Sequence, residues 1–138
     1  MGSKQIIIKT DLSTNYLFLN SKSSSIPTFF LHGFTGSADS WKEVISKLDC
    51  DAIALDIVGH GKSTFNDLNY DYTMDDWCDD FSKILDSLNV DKLNICGYSM
   101  GGRLATAYAA KNPKLVRTLF LESTSLGIKE KKKRKEED

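Results

Sequence analysis

Leu93-Asn94-Ile95-Cys96-Gly97-Tyr98-Ser99-Met100-Gly101-Gly102-Arg103 is the stretch on which the fold turns. Residues 93–96 read as a buried strand. Residues 100–111 read as a helix that stops at Asn112-Pro113. Between them, Gly97-Tyr98-Ser99-Met100-Gly101 fits G-x-S-x-G, with a strand before it and a helix after it, as that pattern requires. So sharp a turn admits only small residues on either side of Ser99 and projects its hydroxyl above the sheet. The first N–H groups of the helix aim at the same place and favour negative charge that develops there. Five residues alone are a weak signal, because Gly and Ser are common in loops. The flanking strand and helix weigh against a Gly-rich turn without catalysis.

Working outward, residues 4–9 and 16–19 read as two strands joined by a polar turn through Asp11, Ser13 and Asn15. Residues 28–31 are a continuous apolar run, the pattern of a strand covered on both faces. Residues 38–48 place Trp41, Val44, Ile45 and Leu48 at helical spacing, and residues 52–55 give a fourth strand. Residues 73–89 carry the clearest helical stripe, through Met74, Trp77, Cys78, Phe81, Ile84, Leu85 and Leu88. Residues 93–96 are a fifth strand, and a sixth lies within 115–121. Six strands, the last four alternating with helices, predict an α/β fold with a mostly parallel sheet.

One domain of ordinary size accounts for 138 residues, and 41% hydrophobic content suffices for a core. A net charge of -1 creates no field for nucleic acid or an anionic membrane. The N-terminal apolar run is too short for a signal peptide, and no stretch approaches a membrane span. Cys50, Cys78 and Cys96 are widely spaced without a CxxC pair, against zinc and against a disulfide framework. Reduced, mostly buried thiols and a cytoplasmic location are the expectation. Residues 128–138 are strongly charged. Their basic centre could suggest nuclear import or nucleic-acid contact, but four acidic residues dilute it, which favours a solvated segment.

Two further segments flank the expected strands. Leu31-His32-Gly33-Phe34-Thr35-Gly36 follows the third, and its glycines let the backbone approach a substrate oxygen. His32 reads as a brace for this loop rather than a general base, because it precedes Ser99 and adjoins the loop. Asp56-Ile57-Val58-Gly59-His60-Gly61-Lys62-Ser63 follows the fourth strand. Its Gly-Lys-Ser invites a phosphate-binding reading, but Asp56 stands where that motif needs its first Gly. Thr64 likewise replaces the third Gly of a dinucleotide fingerprint. A tight turn at the carboxyl edge of the sheet fits these glycines better.

Together LHGFTGSADSW, DIVGHGKS, GYSMGGRLATAYAAKNP and LFLESTSLG resemble the α/β-hydrolase superfamily. Within it the resemblance is strongest to the 2-succinyl-6-hydroxy-2,4-cyclohexadiene-1-carboxylate synthases of menaquinone biosynthesis. Arg103 one turn beyond Ser99, and Leu121-Glu122-Ser123 followed by Ser125 and Gly127, are the more discriminating positions. Leu126 stands where that family usually has Pro. The resemblance implies Ser99 as the catalytic residue, the N–H groups of Phe34 and Met100 as an oxyanion hole, and Arg103 and Tyr98 as contacts to a small anionic substrate. It implies a lyase that removes a proton and eliminates pyruvate from an enolpyruvyl substrate, with no metal or organic cofactor. Residues 1–127 would be the N-terminal portion of the hydrolase core, and 128–138 the start of a helical cap or a charged tail.

In this superfamily the acid and then the histidine follow the serine in the chain. Here the two histidines, His32 and His60, both precede Ser99, and the strand count ends at six. Glu122 could stand in as the acid, although LES belongs to the family pattern. The expectation is therefore a fragment of the fold, truncated after the sixth strand and inactive alone. A carboxylic-ester hydrolase and a non-catalytic small-molecule binder on the same fold are the alternatives.

Overall fold

The computed structural model describes residues 2–22 and 26–124. Strands β1 (Gly2–Lys9) and β2 (Ser13–Ser21) form an antiparallel hairpin that aligns Ile6 with Leu17 and Ile8 with Asn15. Strands β3 (Thr28–Leu31) and β4 (Ala52–Leu55) are parallel neighbours, and all four residues of β4 are buried. A 3-10 turn (Ala38–Trp41) leads into a five-residue helix, α1 (Lys42–Ser46), between them. After β4 come a two-residue strand β5 (Thr64–Phe65), helix α2 (Met74–Ser87), strand β6 (Leu93–Tyr98), helix α3 (Met100–Lys111) and strand β7 (Val116–Glu122). The sheet order is β1-β2-β4-β3-β6-β7, with β5 paired to β2. Strands β4, β3, β6 and β7 are mutually parallel, and β2 joins β4 antiparallel.

Both faces of the sheet are covered at its centre, which is why β4 and residues 29–31 of β3 are apolar. On one face Phe29, Leu31, Ile53 and Leu55 pack under α2 and α3. Trp77 stacks on Phe81 at 4.9 Å, and Phe81 meets Tyr108 edge-on at 4.8 Å. On the other face Phe30, Ala52 and Ala54 pack with Ile45. Thr73 and Asp76 form a capping box that starts α2 and satisfies two otherwise orphaned backbone donors.

Several expectations are corrected in detail. A seventh strand exists among the described residues, because Ser13 and Thr14 extend β2 far enough to pair with Phe65 and Thr64. The helix expected over 38–48 is a 3-10 turn and a short α-helix ending at Ser46, its capping box at Ser37 setting an early start. Of the three thiols, Cys78 is buried while Cys50 and Cys96 are only half-buried, and all are free. Residues 125–138, including the expected cap or charged tail, lie outside the described residues. Among the described residues β7 pairs only with β6, leaving Phe120 (69% exposed) and Leu121 (39%) on an open edge strand. No helix among them is long and apolar enough to cross a membrane.

Candidate active site

Ser99 occupies the residue between β6 and α3 with φ 53° and ψ −112°. A non-glycine residue at positive φ is strained and persists only where its surroundings over-determine it. Here the Ser99 N–H donates to the Glu122 carbonyl at 2.9 Å, and the Ser99 carbonyl accepts from the Arg103 N–H at 3.1 Å. The flanking glycines make the crossing possible. A Cβ on Gly97 would lie 2.6 Å from the Gly102 Cα, and one on Gly101 would lie 2.6 Å from the His32 carbonyl oxygen. Helix α3 therefore starts hard against the end of β3. Its first residue, Met100, leaves an N–H without a backbone acceptor among the described residues.

The loop after β3 passes beside this turn. A Cβ on Gly33 would meet the Tyr98 ring at 2.8 Å and the Ser99 Cβ at 3.7 Å. The Gly36 N–H donates to the Gly33 carbonyl at 3.0 Å and closes the loop, while the Phe34 N–H has no acceptor among the described residues. A cavity of about 510 Å³ is lined by Phe34, Tyr98 and Ser99 together, with His32, Gly33 and Trp41. Three of the five expected site residues thus share one cavity. Met100 and Arg103 are outside its lining; both lie on α3, with Arg103 exposed one turn beyond Ser99.

His32 is a brace. Its ring is buried at 1% exposure, with Nδ1 2.7 Å from the Gly33 carbonyl and Nε2 2.9 Å from the Ile57 nitrogen. The carbonyl can only accept and the Ile57 N–H only donate, which assigns the proton to Nδ1 and occupies the Nε2 lone pair. No lone pair remains to take a proton from Ser99. Burial holds its pKa below the ordinary 6.5, outweighing the Gly33 carbonyl, which acts the other way. His60 stands nearby, its ring 5.2 Å from that of His32 and 5.8 Å from that of Phe34. Among the described residues no side chain hydrogen-bonds the Ser99 hydroxyl, and both histidines are described.

A lowered histidine pKa has a definite stability signature. The unfolded chain binds the proton more readily, so stability is full above about pH 6.5 and falls as pH drops toward the folded-state pKa. Replacing His32 with Gln should flatten that part of the profile. It should also cost about 2–4 kcal/mol at neutral pH, because the Ile57 N–H and Gly33 carbonyl lose their buried partner. Urea unfolding between pH 5 and 8 checks both effects.

Sequence reasoning passed over Asp56. Its buried carboxylate accepts from the Ala38 N–H at 2.6 Å and the Lys62 N–H at 3.0 Å. Gly61, at φ 53°, presses its backbone against the same carboxylate. Asp56 thereby fastens the loop after β3 to the turn after β4. The signal in sequence was Asp56 five residues before Gly61. Glu122, the candidate substitute acid, has an exposed side chain bonded to neither histidine.

The profile of the alpha/beta hydrolase fold family matches residues 27–135. A Bacillus subtilis protein carrying the name of 2-succinyl-6-hydroxy-2,4-cyclohexadiene-1-carboxylate synthase is 41% identical over 109 residues, covering 77% of this chain and 39% of its own length. The sn-1-specific diacylglycerol lipase of Danio rerio is 28% identical over 90% of this chain and 39% of its own. In structure, naproxen esterase from Bacillus subtilis superposes with a TM-score of 0.76 at 22% identity, over 85% of this chain and 41% of the esterase. The chain spans about two fifths of the length of these relatives. With its sheet order, its strained serine at the strand–helix turn and this match across most of its length, the chain belongs to the α/β-hydrolase-fold family.

Proposed function

We propose that the chain is the N-terminal part of a lyase that eliminates pyruvate from 2-succinyl-5-enolpyruvyl-6-hydroxy-3-cyclohexene-1-carboxylate. The observation that carries this reading is Ser99 at φ 53° sharing a cavity with Phe34, the N–H groups of Phe34 and Met100 having no acceptor among the described residues, in a chain 41% identical to the Bacillus subtilis protein named for that synthase. In this reading the serine oxygen, deprotonated by an imidazole supplied from a later part of the full-length protein, removes the proton from the ring carbon that bears the succinyl group, beside its ketone carbonyl. The electron pair forms a double bond to the next ring carbon, the existing ring double bond shifts one position, and the carbon–oxygen bond to the enolpyruvyl group breaks; the released enolate takes up a proton and leaves as pyruvate. The two N–H groups stabilise the ketone oxygen of the succinyl group, on which charge gathers, a contribution typically worth about 3–4 kcal/mol for each donor.

Arg103, exposed on α3 one turn beyond Ser99, holds a substrate carboxylate, its planar fork suited to that geometry, and Tyr98 lines the cavity. In the full-length protein Arg103→Ala should lower kcat/KM for pyruvate release by about 30- to 1,000-fold, the scale of a truncated charge pair. Unchanged pyruvate-release kinetics would remove Arg103 from the site.

The hydrolase relatives favour a second reading, a serine carboxylic-ester hydrolase. There Ser99 attacks an ester carbonyl and forms an acyl intermediate. Assaying the full-length protein for pyruvate release and for covalent labelling by a fluorophosphonate separates the readings. Pyruvate release identifies the lyase. Labelling with ester turnover and no pyruvate identifies the hydrolase, and neither activity leaves a binding protein on this fold.

A further inference from the structure

The loop that carries the Phe34 N–H is held at both ends by two consecutive residues of the turn after β4. At its start, the His32 Nε2 accepts from the Ile57 N–H at 2.9 Å. At its end, the Asp56 carboxylate accepts from the Ala38 N–H at 2.6 Å, where the 3-10 turn begins. Between these anchors, the Gly33 carbonyl accepts from the Gly36 N–H at 3.0 Å and from the His32 Nδ1 at 2.7 Å. In a trans peptide the carbonyl and the N–H point opposite ways, and no peptide bond among the described residues is cis. The Phe34 N–H shares its peptide unit with the Gly33 carbonyl, so it points away from the groups that hold that carbonyl.

Asp56 can anchor this loop because it is itself fixed from several sides. Its side chain is buried, its second carboxylate oxygen accepts from the Lys62 N–H at 3.0 Å, and the Gly61 backbone packs against it. Its own N–H donates to the Tyr16 carbonyl on β2 at 3.0 Å. The turn that begins at Ala38 supplies Ser40 and Trp41 to the wall of the Ser99 cavity. On the other side of Ala38, only residues 35–37 separate it from Phe34, and Thr35 and Gly36 line the same cavity. A shift of Ala38 therefore moves both parts of that wall. Asp56 is outside the lining of the cavity, so it acts on the site only through the backbone it holds.

We propose that Asp56 is a positioning residue for the chemistry at Ser99: by holding the Ala38 N–H it fixes the loop that presents the Phe34 N–H to the substrate oxygen. The proposal rests on the reading of that N–H as an oxyanion donor, and it holds for a lyase and an ester hydrolase alike. Such a donor works only if it is in place before charge develops, and removing one typically costs about 10²- to 10³-fold in kcat. A misplacement of about 1 Å, caused by a change remote from the reacting atoms, costs about 10²-fold. Because the contact serves the transition state rather than the bound substrate, its loss lowers kcat and leaves KM in place.

Asp56→Ala in the full-length protein is the test, with Asp80→Ala as the comparison. Asp80 is also a buried carboxylate, held by the Ser13 and Tyr72 hydroxyls, but it lies on α2, across the sheet from the 38–41 turn. Both changes cost stability, since each leaves buried donors without an acceptor. Asp56→Ala should also lower kcat by about 10- to 100-fold with KM within about threefold. In the resting protein it should move the Phe34 amide resonance. Asp80→Ala should do neither. If Asp56→Ala fails to fold, Asp56→Asn takes its place: its one carbonyl oxygen serves one N–H while its NH2 faces the other, and the same changes should appear at smaller size. A Phe34 amide that stays in place, or a kcat loss that Asp80→Ala matches, overturns the proposal. A displaced Phe34 amide with unchanged kcat overturns it too, and places the fault in the reading of the Phe34 N–H as a donor.

Discussion

The 138-residue chain by itself is expected to release no pyruvate above background from the enolpyruvyl substrate, and Ser99→Ala is expected to leave that blank unchanged. A serine hydroxyl does little until a neighbouring base takes its proton. The chain has two histidines. His32 has both ring nitrogens committed, to Gly33 and Ile57, and His60 sits against His32 and Phe34 without a bond to Ser99. In serine hydrolases, loss of one member of the catalytic set costs on the order of 10⁴–10⁶ in rate, leaving oxyanion donors and binding alone. In the full-length protein, where the proposed reading supplies an imidazole, Ser99→Ala should show that loss in kcat with folding unchanged. Steady pyruvate production by the 138-residue chain, abolished by Ser99→Ala, would show that His32 or His60 is recruited after all.

The parallel half of the sheet was legible because burial on both faces leaves continuous apolar runs. Residues 28–31 and 52–55 are strands with the bounds read from sequence, and α3 covers 100–111 as expected. The edges were harder to read. The hairpin β1–β2 is longer than its apolar residues because Ser13 and Asn15 are buried by polar contacts, which a hydrophobic pattern does not register. Ser13 donates to Asp80 at 2.9 Å, Tyr72 donates to the same oxygen at 2.7 Å, and Asn15 donates to Ser13 at 2.9 Å. That network ties the hairpin to α2 across 67 residues of sequence, with Asp80 on the flank of an apolar stripe where it reads as solvated. Asp56 was missed for the same reason. The residues gathered around Ser99 were legible in kind, since the glycines announce a close approach, but what approaches what is set by the crossing of β3 and β6.

Gly101→Ala is expected to destabilise the chain by about 2–4 kcal/mol, a large share of the 5–15 kcal/mol that holds an ordinary domain together. The cost follows from what the new methyl would meet. At Gly101 a Cβ lies within 2.6 Å of the His32 carbonyl oxygen and still closer to the Leu31 carbonyl, both of them backbone at the end of β3. Backbone in a central strand cannot rotate away as a side chain would. Either α3 lifts off the sheet or β3 shifts in its pairing with β4 and β6, and each loses buried contacts of Leu104, Ala105 and Tyr108. Gly36→Ala is the internal comparison. Its Cβ would come to 3.1 Å from the His32 Cβ and the Ser40 Oγ, and the Ser40 hydroxyl can swing aside, so the cost should stay below about 1 kcal/mol. Urea midpoints at constant m-value would read both changes as stability rather than altered compactness. If Gly101→Ala unfolds within about 0.5 kcal/mol of the parent chain, the start of α3 yields easily. The strained backbone at Ser99 would then not be held by the packing of α3 on β3.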